Sequence, residues 1–483
     1  TYTYYPNRQI ETVKDNLGNV TRYEYEAVYG LPSKITNALL KDTTFTYTYD
    51  TNNKITKVEI RDPLLKLTTI NFNSYGMPTS ITDANLNTTT LLYENLNKPA
   101  ELTKIKDMLN NTYSLGYDSV GRLWTGTDAK GKTTTYTYNE MDNIVEVKDP
   151  IGNITRYSYG ATGNLLTVTD ARNQTIRYEY DERDRLKKMI DQIGRSETYA
   201  YDTSDNLISL TDRKGQITTY TYDSMNRITR ADYADGSYAS YSYDAVGRVL
   251  TITDTLTGTI SYTYNDYGCT ACGGRGMDRI SQEVTPLGVI DYTYDNVGRR
   301  KTMTVAGQPV VNYDYYDNGW IENVRQIINS VEQKFNFVYD NAGRRQNLKY
   351  FKGGAPTPIT ETVYQFNTAN MLENIQHLQG ANILENLTYS YDPNGNRIIM
   401  NRPSVTLPSP NPVSNTSYNS ANQMLTFNDK NISYDNNGNM TSVTNTCGTT
   451  NYTWDARNRL VGINGFKPDC TTLTASFKYD ALN

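Results

Sequence analysis

The sequence has little of what most catalytic sites need. Its 483 residues include one histidine, His377, and four cysteines. A Ser-His-Asp or Cys-His site would have to use His377, yet the surrounding stretch ENIQHLQGANILENL offers no recognisable catalytic partner. A zinc site of the two-histidine kind is impossible. We therefore expect His377 to occupy an ordinary sheet position in a protein that is not an enzyme and binds no cofactor.

Other absences narrow the classes of partner. The net charge of -5 comes from scattered Asp and Glu without a block of Lys or Arg, which argues against a nucleic-acid groove. The sequence has no run of about 18 apolar residues, so we expect no membrane-spanning segment. The many aspartates lack the dense alternation of an EF-hand loop, and turn formation explains them first.

Tyrosine, by contrast, is plentiful and regularly spaced, with 43 Tyr against 9 Phe and 3 Trp. An aromatic residue, usually followed by Asp or Asn, recurs every 21 residues, and looser copies such as Tyr316 extend the series both ways. We predict one continuous array over 1–483 of about 22 repeats, regular over 117–264 and longer and irregular over 264–479. The regular aromatic positions are Tyr117, Tyr138, Tyr159, Tyr180, Tyr201, Tyr222, Tyr243 and Tyr264.

Each repeat is predicted to hold two strands and two turns. Three positions after the Asp-like residue stands a residue type that tolerates the left-handed backbone region, such as Gly121 or Asp184, and a second such turn follows ten residues later. Turns at 118–121 and 128–131 and strands at 122–127 and 132–138 account for all 21 residues. No room is left for a helix.

The strand KTTTYTY alternates Thr and Tyr, and neither face of such strands is strongly apolar. We therefore predict an all-β array of antiparallel hairpins held by cross-strand Tyr, Thr and aliphatic pairs. A flat ribbon of that length, roughly 210 Å, would expose long edges. Because sheets twist, we expect it to coil into a spiral hollow shell whose windings cover one another's edges, with an open or incomplete spiral as the alternative.

The sequence of these repeats resembles the YD repeats of the Rhs family. The resemblance rests on the stretch YTYDSMNRITRADYADGSYASYSYDAVGRVLTITD at 220–254 and on the YDAVGR motif within it. The family includes bacterial Rhs polymorphic toxins, Tc toxin B and C components, wall-associated YD-repeat proteins and teneurins. The resemblance implies a structural motif of Tyr117, Asp118, Gly121, Arg122, Tyr138, Tyr159, Gly163, Tyr180, Asp181, Tyr201, Asp202, Tyr222, Asp223, Tyr243, Asp244, Gly247 and Arg248.

The resemblance also implies a function. In the bacterial members the repeats form a hollow cocoon around a C-terminal toxin, so we expect a secreted or cell-surface, non-enzymatic wall that encloses a toxin or other passenger and meets secretion or delivery machinery. The alternative is a teneurin-like extracellular adhesion or scaffold module that binds protein or glycan. The family's DPxGL-like closing segment is not found and the chain stops at Tyr479–Asn483, so we expect a fragment of a longer protein.

The four cysteines present two cases. Cys269 and Cys272, in the Gly-rich stretch YGCTACGGRG, could form a local disulfide, stay free structural thiols, form a redox pair or provide half of a zinc site. Cys447 and Cys470 fall in turns of the second kind one repeat apart, on the same edge of the ribbon. Their strands would be about 10 Å apart, so a disulfide requires the turns to close that gap, and two unpaired residues are the alternative.

Overall fold

The computed structural model describes residues 1–483 except 15–19, 37–39, 41, 63–64, 85, 265–278, 296–297, 341–342, 368–369, 393–394, 404–412, 414 and 483. The described part of the chain holds 43 strands and no helix. Successive strands pair antiparallel through short turns. The predicted all-β antiparallel array is therefore confirmed. A bilayer-crossing helix is accordingly not found in those residues.

Two compact units divide the chain, and each combines two stretches that are distant in sequence. Unit 1 consists of Thr1–Thr135 and Tyr262–Thr406, and unit 2 consists of Tyr136–Ser261 and Leu407–Asn483.

Strands follow one another in chain order through both units. The first stretch of unit 1 contains β1 (Tyr2–Tyr4), β2 (Ile10–Lys14), β3 (Val20–Tyr25), β4 (Pro32–Thr36), β5 (Asp42–Tyr49), β6 (Ile55–Arg61), β7 (Leu67–Phe72), β8 (Pro78–Thr82), β9 (Thr88–Leu92), β10 (Lys104–Lys106), β11 (Thr112–Tyr117) and β12 (Leu123–Thr127), and β13 (Thr133–Tyr138) crosses its boundary. The first stretch of unit 2 contains β14 (Ile144–Lys148), β15 (Ile154–Tyr159), β16 (Leu165–Thr169), β17 (Thr175–Tyr180), β18 (Leu186–Ile190), β19 (Ser196–Tyr201), β20 (Leu207–Thr211), β21 (Ile217–Tyr222), β22 (Ile228–Asp232), β23 (Tyr238–Tyr243) and β24 (Val249–Asp254), and β25 (Gly258–Tyr264) crosses its boundary.

The second stretches contain longer strands and wider spacings. That of unit 1 holds β26 (Ile280–Thr285), β27 (Gly288–Tyr294), β28 (Arg300–Val305), β29 (Val311–Tyr315), β30 (Ile321–Ile328), β31 (Val331–Tyr339), β32 (Arg345–Lys352), β33 (Thr360–Phe366), β34 (Leu372–Gln379), β35 (Asn382–Tyr391) and β36 (Arg397–Asn401). That of unit 2 is a seven-stranded sheet of β37 (Thr416–Tyr418), β38 (Met424–Phe427), β39 (Lys430–Tyr434), β40 (Met440–Asn445), β41 (Gly448–Trp454), β42 (Leu460–Phe466) and β43 (Thr472–Ser476).

The turns have the predicted left-handed residue. In the turn between β17 and β18, the N–H of Asp184 donates to the carbonyl of Asp181 over 3.1 Å, and Asp184 has φ of 59°. Gly121, Gly163 and Gly247 take the same position with φ of 94°, 86° and 94°. The pairing register shifts just before the aromatic residue, between Glu179 and Tyr180 in this hairpin, which is a β-bulge.

Two details of the prediction need correction. Strands β12 and β13 begin at Leu123 and Thr133, one residue later than predicted, because the carbonyls of Arg122 and Lys132 close the preceding turns. The aromatic residue that ends β29 is Tyr315 instead of Tyr316. Tyr316 stands at the head of the turn, where most repeats have Asp, and its N–H donates to the carbonyl of Trp320 over 2.8 Å.

Cross-strand threonine pairs are present as predicted. The hydroxyl oxygens of Thr127–Thr133, Thr169–Thr175 and Thr253–Thr259 lie 2.9, 2.9 and 3.0 Å apart.

The apolar core is small. Among the described residues, the buried apolar side chains are those of Ala231, Ala239, Ile252 and Ile260, all on β22–β25. Most strand residues are half-buried, so hydrogen bonds and ion pairs at the turns contribute much of what holds the repeats together.

Candidate functional site

We call the turn that directly follows the motif tyrosine the first-kind turn, and the turn about ten residues later the second-kind turn. Most first-kind turns have an aspartate at their head, and this residue organises the turn. One carboxylate oxygen of Asp181 accepts hydrogen bonds from the backbone N–H groups of Arg183 and Arg185, over 2.9 and 3.0 Å. The other accepts one from Nε of Arg185 over 2.8 Å. Asp118, Asp223 and Asp244 repeat this arrangement with Arg122, Arg227 and Arg248. The interpretation of the aspartates as turn residues is confirmed at these positions.

The arginine that closes the turn also reaches the next repeat. Nη1 of Arg185 donates to the carbonyl of Asp202 over 3.0 Å, and its guanidinium lies over the ring of Tyr201 at 4.7 Å. Arg227 makes the same two contacts with Asp244 and Tyr243, at 3.4 and 4.4 Å. Because a guanidinium is planar and carries five donors, it can serve two turns at once.

The tyrosine of the motif connects its repeat to the preceding one, whereas the arginine connects its repeat to the following one. The hydroxyl of Tyr180 donates to the carbonyl of Leu165, 15 residues earlier, over 2.9 Å. The same hydrogen bond joins Tyr201 to Leu186 and Tyr222 to Leu207. Tyr117, Tyr159 and Tyr243 also donate to the carbonyl 15 residues before them, and Tyr138 is the last residue of β13. We call the Tyr, Asp and Arg contacts of each repeat the repeat clamp.

Removing one clamp hydroxyl tests this description. Tyr180→Phe should lower the free energy of unfolding by about 1 kcal/mol, because the carbonyl of Leu165 loses its partner in a half-buried position. Tyr178→Phe is the matched control, since no partner for the Tyr178 hydroxyl is found among the described residues and it lies on the same strand. Urea denaturation followed by circular dichroism gives both values. Equal losses in the two variants would contradict the clamp.

Acid should loosen the clamp in a defined range. The hydrogen bond from Arg185 lowers the pKa of Asp181 to about 2, and hydrogen bonds from Asn206 and Arg227 lower the pKa of Asp202 and Asp223. A depressed pKa in the folded state stabilises it above the unfolded value of about 3.9, and that stabilisation is lost as the pH falls towards 2. Stability measured by urea titration should fall between about pH 4 and 2.

The acid prediction has its own control. In a variant with Asp181, Asp202 and Asp223 changed to Asn, stability at neutral pH should be lower and its further decline between about pH 4 and 2 should be shallower. Parallel decline in both proteins would show that other carboxylates govern acid unfolding.

Each unit also has a seam, where first-kind turns of its second stretch meet second-kind turns of its first stretch. In unit 2, Asn422 accepts from Nη1 of Arg172 over 2.7 Å and donates to Asp170 over 3.1 Å. Further along, Asn437 donates to the carboxylate of Asp212 over 2.6 Å, and the ammonium of Lys214 lies 3.3 Å from Asp435. These partners are more than 220 residues apart in sequence.

The most buried contact of the unit 2 seam is an ion pair between Arg457 and Asp254. Asp254 is 1% exposed, and Nη1 of Arg457 contacts its carboxylate directly. Nη2 of Arg457 donates to the hydroxyl of Ser237 over 3.3 Å, and the guanidinium lies 3.9 Å from the ring centroid of Tyr233. Burial raises the pKa of Asp254, but the hydrogen bonds from Arg457 and from the N–H of Leu256, together with the positive charges of Arg457 and Arg459, outweigh that effect and lower the pKa.

Unit 1 has a seam of the same kind. Nδ2 of Asn370 donates to the hydroxyl of Tyr113 over 2.7 Å, and Nζ of Lys66 lies 2.5 Å from a carboxylate oxygen of Asp317. At these points, first-kind turns of the second stretch contact second-kind turns of the first stretch or, at Tyr113, the strand β11 that follows such a turn. The predicted covering of edges is present at these contacts.

The remaining candidate residues occupy separate places. His377 lies in β34, as predicted, with Nδ1 3.0 Å from the hydroxyl of Thr362 on the paired strand. Cys447 and Cys470 form a disulfide with Cα atoms 5.0 Å apart, because two turns on the same side of the sheet bend together. Cys269 and Cys272 lie outside the described residues, and the alternatives for them stay predictions. In the residues that are described, no cluster of His, Cys, Asp or Glu could hold a metal ion.

Sequence reasoning missed two features of this site. It included Arg122 and Arg248 in the motif without a role, although the recurrence of Arg four residues after Asp signalled the ion pair within the turn. The seam partners gave no such signal, since Asp254 and Arg457 look like ordinary turn residues.

Solved structures with this fold are known. The chain matches the crystal structure of TcdB2-TccC3-Cdc42 with a TM-score of 0.61 and 11% identity, covering 100% of this chain and 38% of that one. It matches the Photorhabdus luminescens Tc holotoxin pore with a TM-score of 0.55 and 13% identity, covering 99% and 34%. The chain thus spans somewhat more than a third of the first and about a third of the second. At these identities the likeness shows the fold alone.

Family membership rests on a second comparison. None of the curated proteins searched matches the chain. A family profile described as Teneurin YD-shell matches residues 66–267 and 164–344, which together cover more than half of the sequence. The chain belongs to the teneurin YD-shell family, whose members are shell-like structural modules.

Proposed function

We propose that this chain is part of the wall of a β-shell that encloses and protects a passenger polypeptide, such as a C-terminal toxin, and that it catalyses no reaction itself. The observation that carries the proposal is the seam within each unit. A wall that retains a polypeptide must be closed between its windings as well as along them. The repeat clamp supplies the second kind of closure, and the seams between turns about 200–260 residues apart supply the first.

The strands suit a wall whose two sheet faces are both in contact with solvent. In β15, β17 and β19 exposed and half-buried residues alternate, and no residue of these strands is fully buried. A sheet of this kind needs no second apolar layer, which leaves room for a passenger on one side. Secretion or display at a cell surface agrees with the disulfide between Cys447 and Cys470, because such bonds persist in oxidising compartments. Secretion or delivery machinery would then be a partner.

Small-angle X-ray scattering of the chain tests enclosure. A solid globule of 483 residues has a radius of gyration of about 23 Å. A straight ribbon of 43 strands spaced roughly 4.8 Å apart has one of about 60 Å. We expect a value above the first and far below the second, with a pair-distance distribution weighted towards long distances. A value near 60 Å would favour the teneurin-like surface scaffold, and a solid globule would leave no space for a passenger.

A further inference from the structure

The last strand of unit 1, β36, has a free side. It pairs with β35, and no strand in the described part of the chain pairs along its other side. All five of its residues are exposed. The strands at the other sheet ends differ: β1 and β37 have three residues each, and β43 exposes the small polar residues Thr472, Thr474 and Ser476. β36 is therefore the sheet end that offers the longest run of exposed residues.

The centre of this strand is apolar. Ile398, Ile399 and Met400 are 62%, 57% and 53% exposed. Sheet edges are usually protected by a charge or a proline within the strand, and this run contains neither. The register shift beside Ser390 and Tyr391 is the bulge that the other hairpins also have. The free side of β36 thus presents backbone N–H and C=O groups, flanked by apolar side chains, to an incoming strand.

An unbalanced cation marks one end of the edge. The guanidinium of Arg397 lies 5.1 Å from the ring centroid of Tyr389 on β35, and it has no carboxylate partner among the described residues. Just past the other end, Arg402 forms an ion pair with Glu385, so that cation is neutralised. An incoming strand would therefore meet one uncompensated positive charge, at the N-terminal end of β36, and a carboxylate there would complement it.

A second copy of this chain complements the edge less well. In an antiparallel pair of two β36 strands centred on Ile399, each Arg397 would face Asn401 of the other copy and gain no carboxylate. A strand that carries an acidic residue at its C-terminal end would place that residue opposite Arg397. Antiparallel pairing of this kind also continues the pattern by which β34, β35 and β36 are already joined.

We propose that β36 binds an extended segment of another polypeptide by strand addition. The segment would have an uncharged core rich in β-branched residues and a carboxylate at its C-terminal end. Its backbone would pair antiparallel with β36, its side chains would cover Ile398, Ile399 and Met400, and its carboxylate would pair with Arg397. The inference rests on β36 alone and holds whether or not the chain encloses a passenger.

Fluorescence anisotropy of a labelled peptide, titrated with the whole chain, tests the site. The probe has a core of alternating Val and Thr with Asp at its C-terminal end, and it should bind with a saturable signal. Two further probes carry N-methyl groups on one or the other alternate set of core amides. Only the amides that face β36 can pair with it, so one methylated probe should bind and the other should not.

Variants of the chain locate the binding. Ile399→Lys places a charge in the middle of the edge and should weaken binding at least about tenfold. Arg397→Gln should weaken binding of the Asp probe about threefold, and it should abolish the preference for that probe over one with Lys in place of Asp. Ile81→Lys is the matched control, because Ile81 is also exposed but its strand, β8, pairs on both sides. It should leave binding unchanged.

The possible results separate the proposal from its alternatives. It is overturned if no probe binds, if both methylated probes bind equally, or if Ile399→Lys binds as well as Ile81→Lys. Circular dichroism shows whether the variants fold, and Arg397→Gln decides if Ile399→Lys does not. Sedimentation velocity of the free chain addresses the second copy: a dimer that Ile399→Lys dissociates and that the Asp probe does not compete with would assign the edge to self-association and overturn the proposal.

Discussion

Replacing Arg457 by alanine is expected to lower the free energy of unfolding of unit 2 by about 3–5 kcal/mol. The substitution leaves the carboxylate of Asp254 buried, at 1% exposure, without its charged partner. It also removes the hydrogen bond to Ser237 and the stacking on Tyr233. The loss should exceed that of any exposed ion pair in the chain, because surface pairs are solvated and contribute about 0–1 kcal/mol.

The fluorescence of Trp454 can report the unfolding of unit 2 separately from that of unit 1. It ends β41 next to the turn that carries Arg457, and its indole N–H donates to the carbonyl of Met440 over 2.8 Å. In a Trp124→Phe/Trp320→Phe background it is the remaining tryptophan of the three, so urea denaturation followed by fluorescence reports on unit 2.

Arg183→Ala is the control for the seam, because the side chains of Arg183 and its partner Asp205 are both 52% exposed. It should cost less than about 1 kcal/mol. The double variant Asp254→Asn/Arg457→Gln should cost less than the sum of its single substitutions, since it leaves no isolated charge. A loss of less than about 1 kcal/mol for Arg457→Ala would mean that the seam contributes little to unit 2.

The contrast between clamp and seam shows what the sequence could reveal. The 21-residue period, the antiparallel hairpins and the left-handed residues follow from local chemistry, because one Asp, one Gly or Asn and one Tyr suffice to set each turn. Strands β12 and β13 begin one residue later than the sequence predicted. The hydrogen bond that a backbone carbonyl accepts to close a turn does not depend on residue type, so the sequence cannot show where the turn ends. In YYDNGW both tyrosines fit the pattern, and only the pairing that ends at Tyr315 decides between them.

The seam was beyond sequence reasoning for a different reason. Arg457 lies 203 residues from Asp254, and nothing in a turn motif says which distant turn it will meet. That pairing depends on how far each repeat advances and bends, and the longer, irregular repeats after Tyr264 change that advance.

Removing the disulfide between Cys447 and Cys470 is expected to be the second largest loss. The bond closes a loop across 23 positions, which corresponds to about 3 kcal/mol through the reduced entropy of the unfolded chain. The loop includes β41 and most of the hairpin that carries Trp454 and Arg457, so the bond also restrains the part of the sheet that forms the unit 2 seam. Cys447→Ser/Cys470→Ser should therefore shift the Trp454 unfolding transition to lower urea concentration.

Reduction provides the matched comparison, provided that Cys269 and Cys272 are first replaced by serine. In that background, a reducing agent should lower stability to the level of the Cys447→Ser/Cys470→Ser variant and should have no effect on the variant itself. Non-reducing mass spectrometry of tryptic peptides should find Cys447 linked to Cys470. If the oxidised protein and the variant unfold at the same urea concentration, the turns are held together by the sheet alone, and the disulfide follows from their proximity instead of stabilising it.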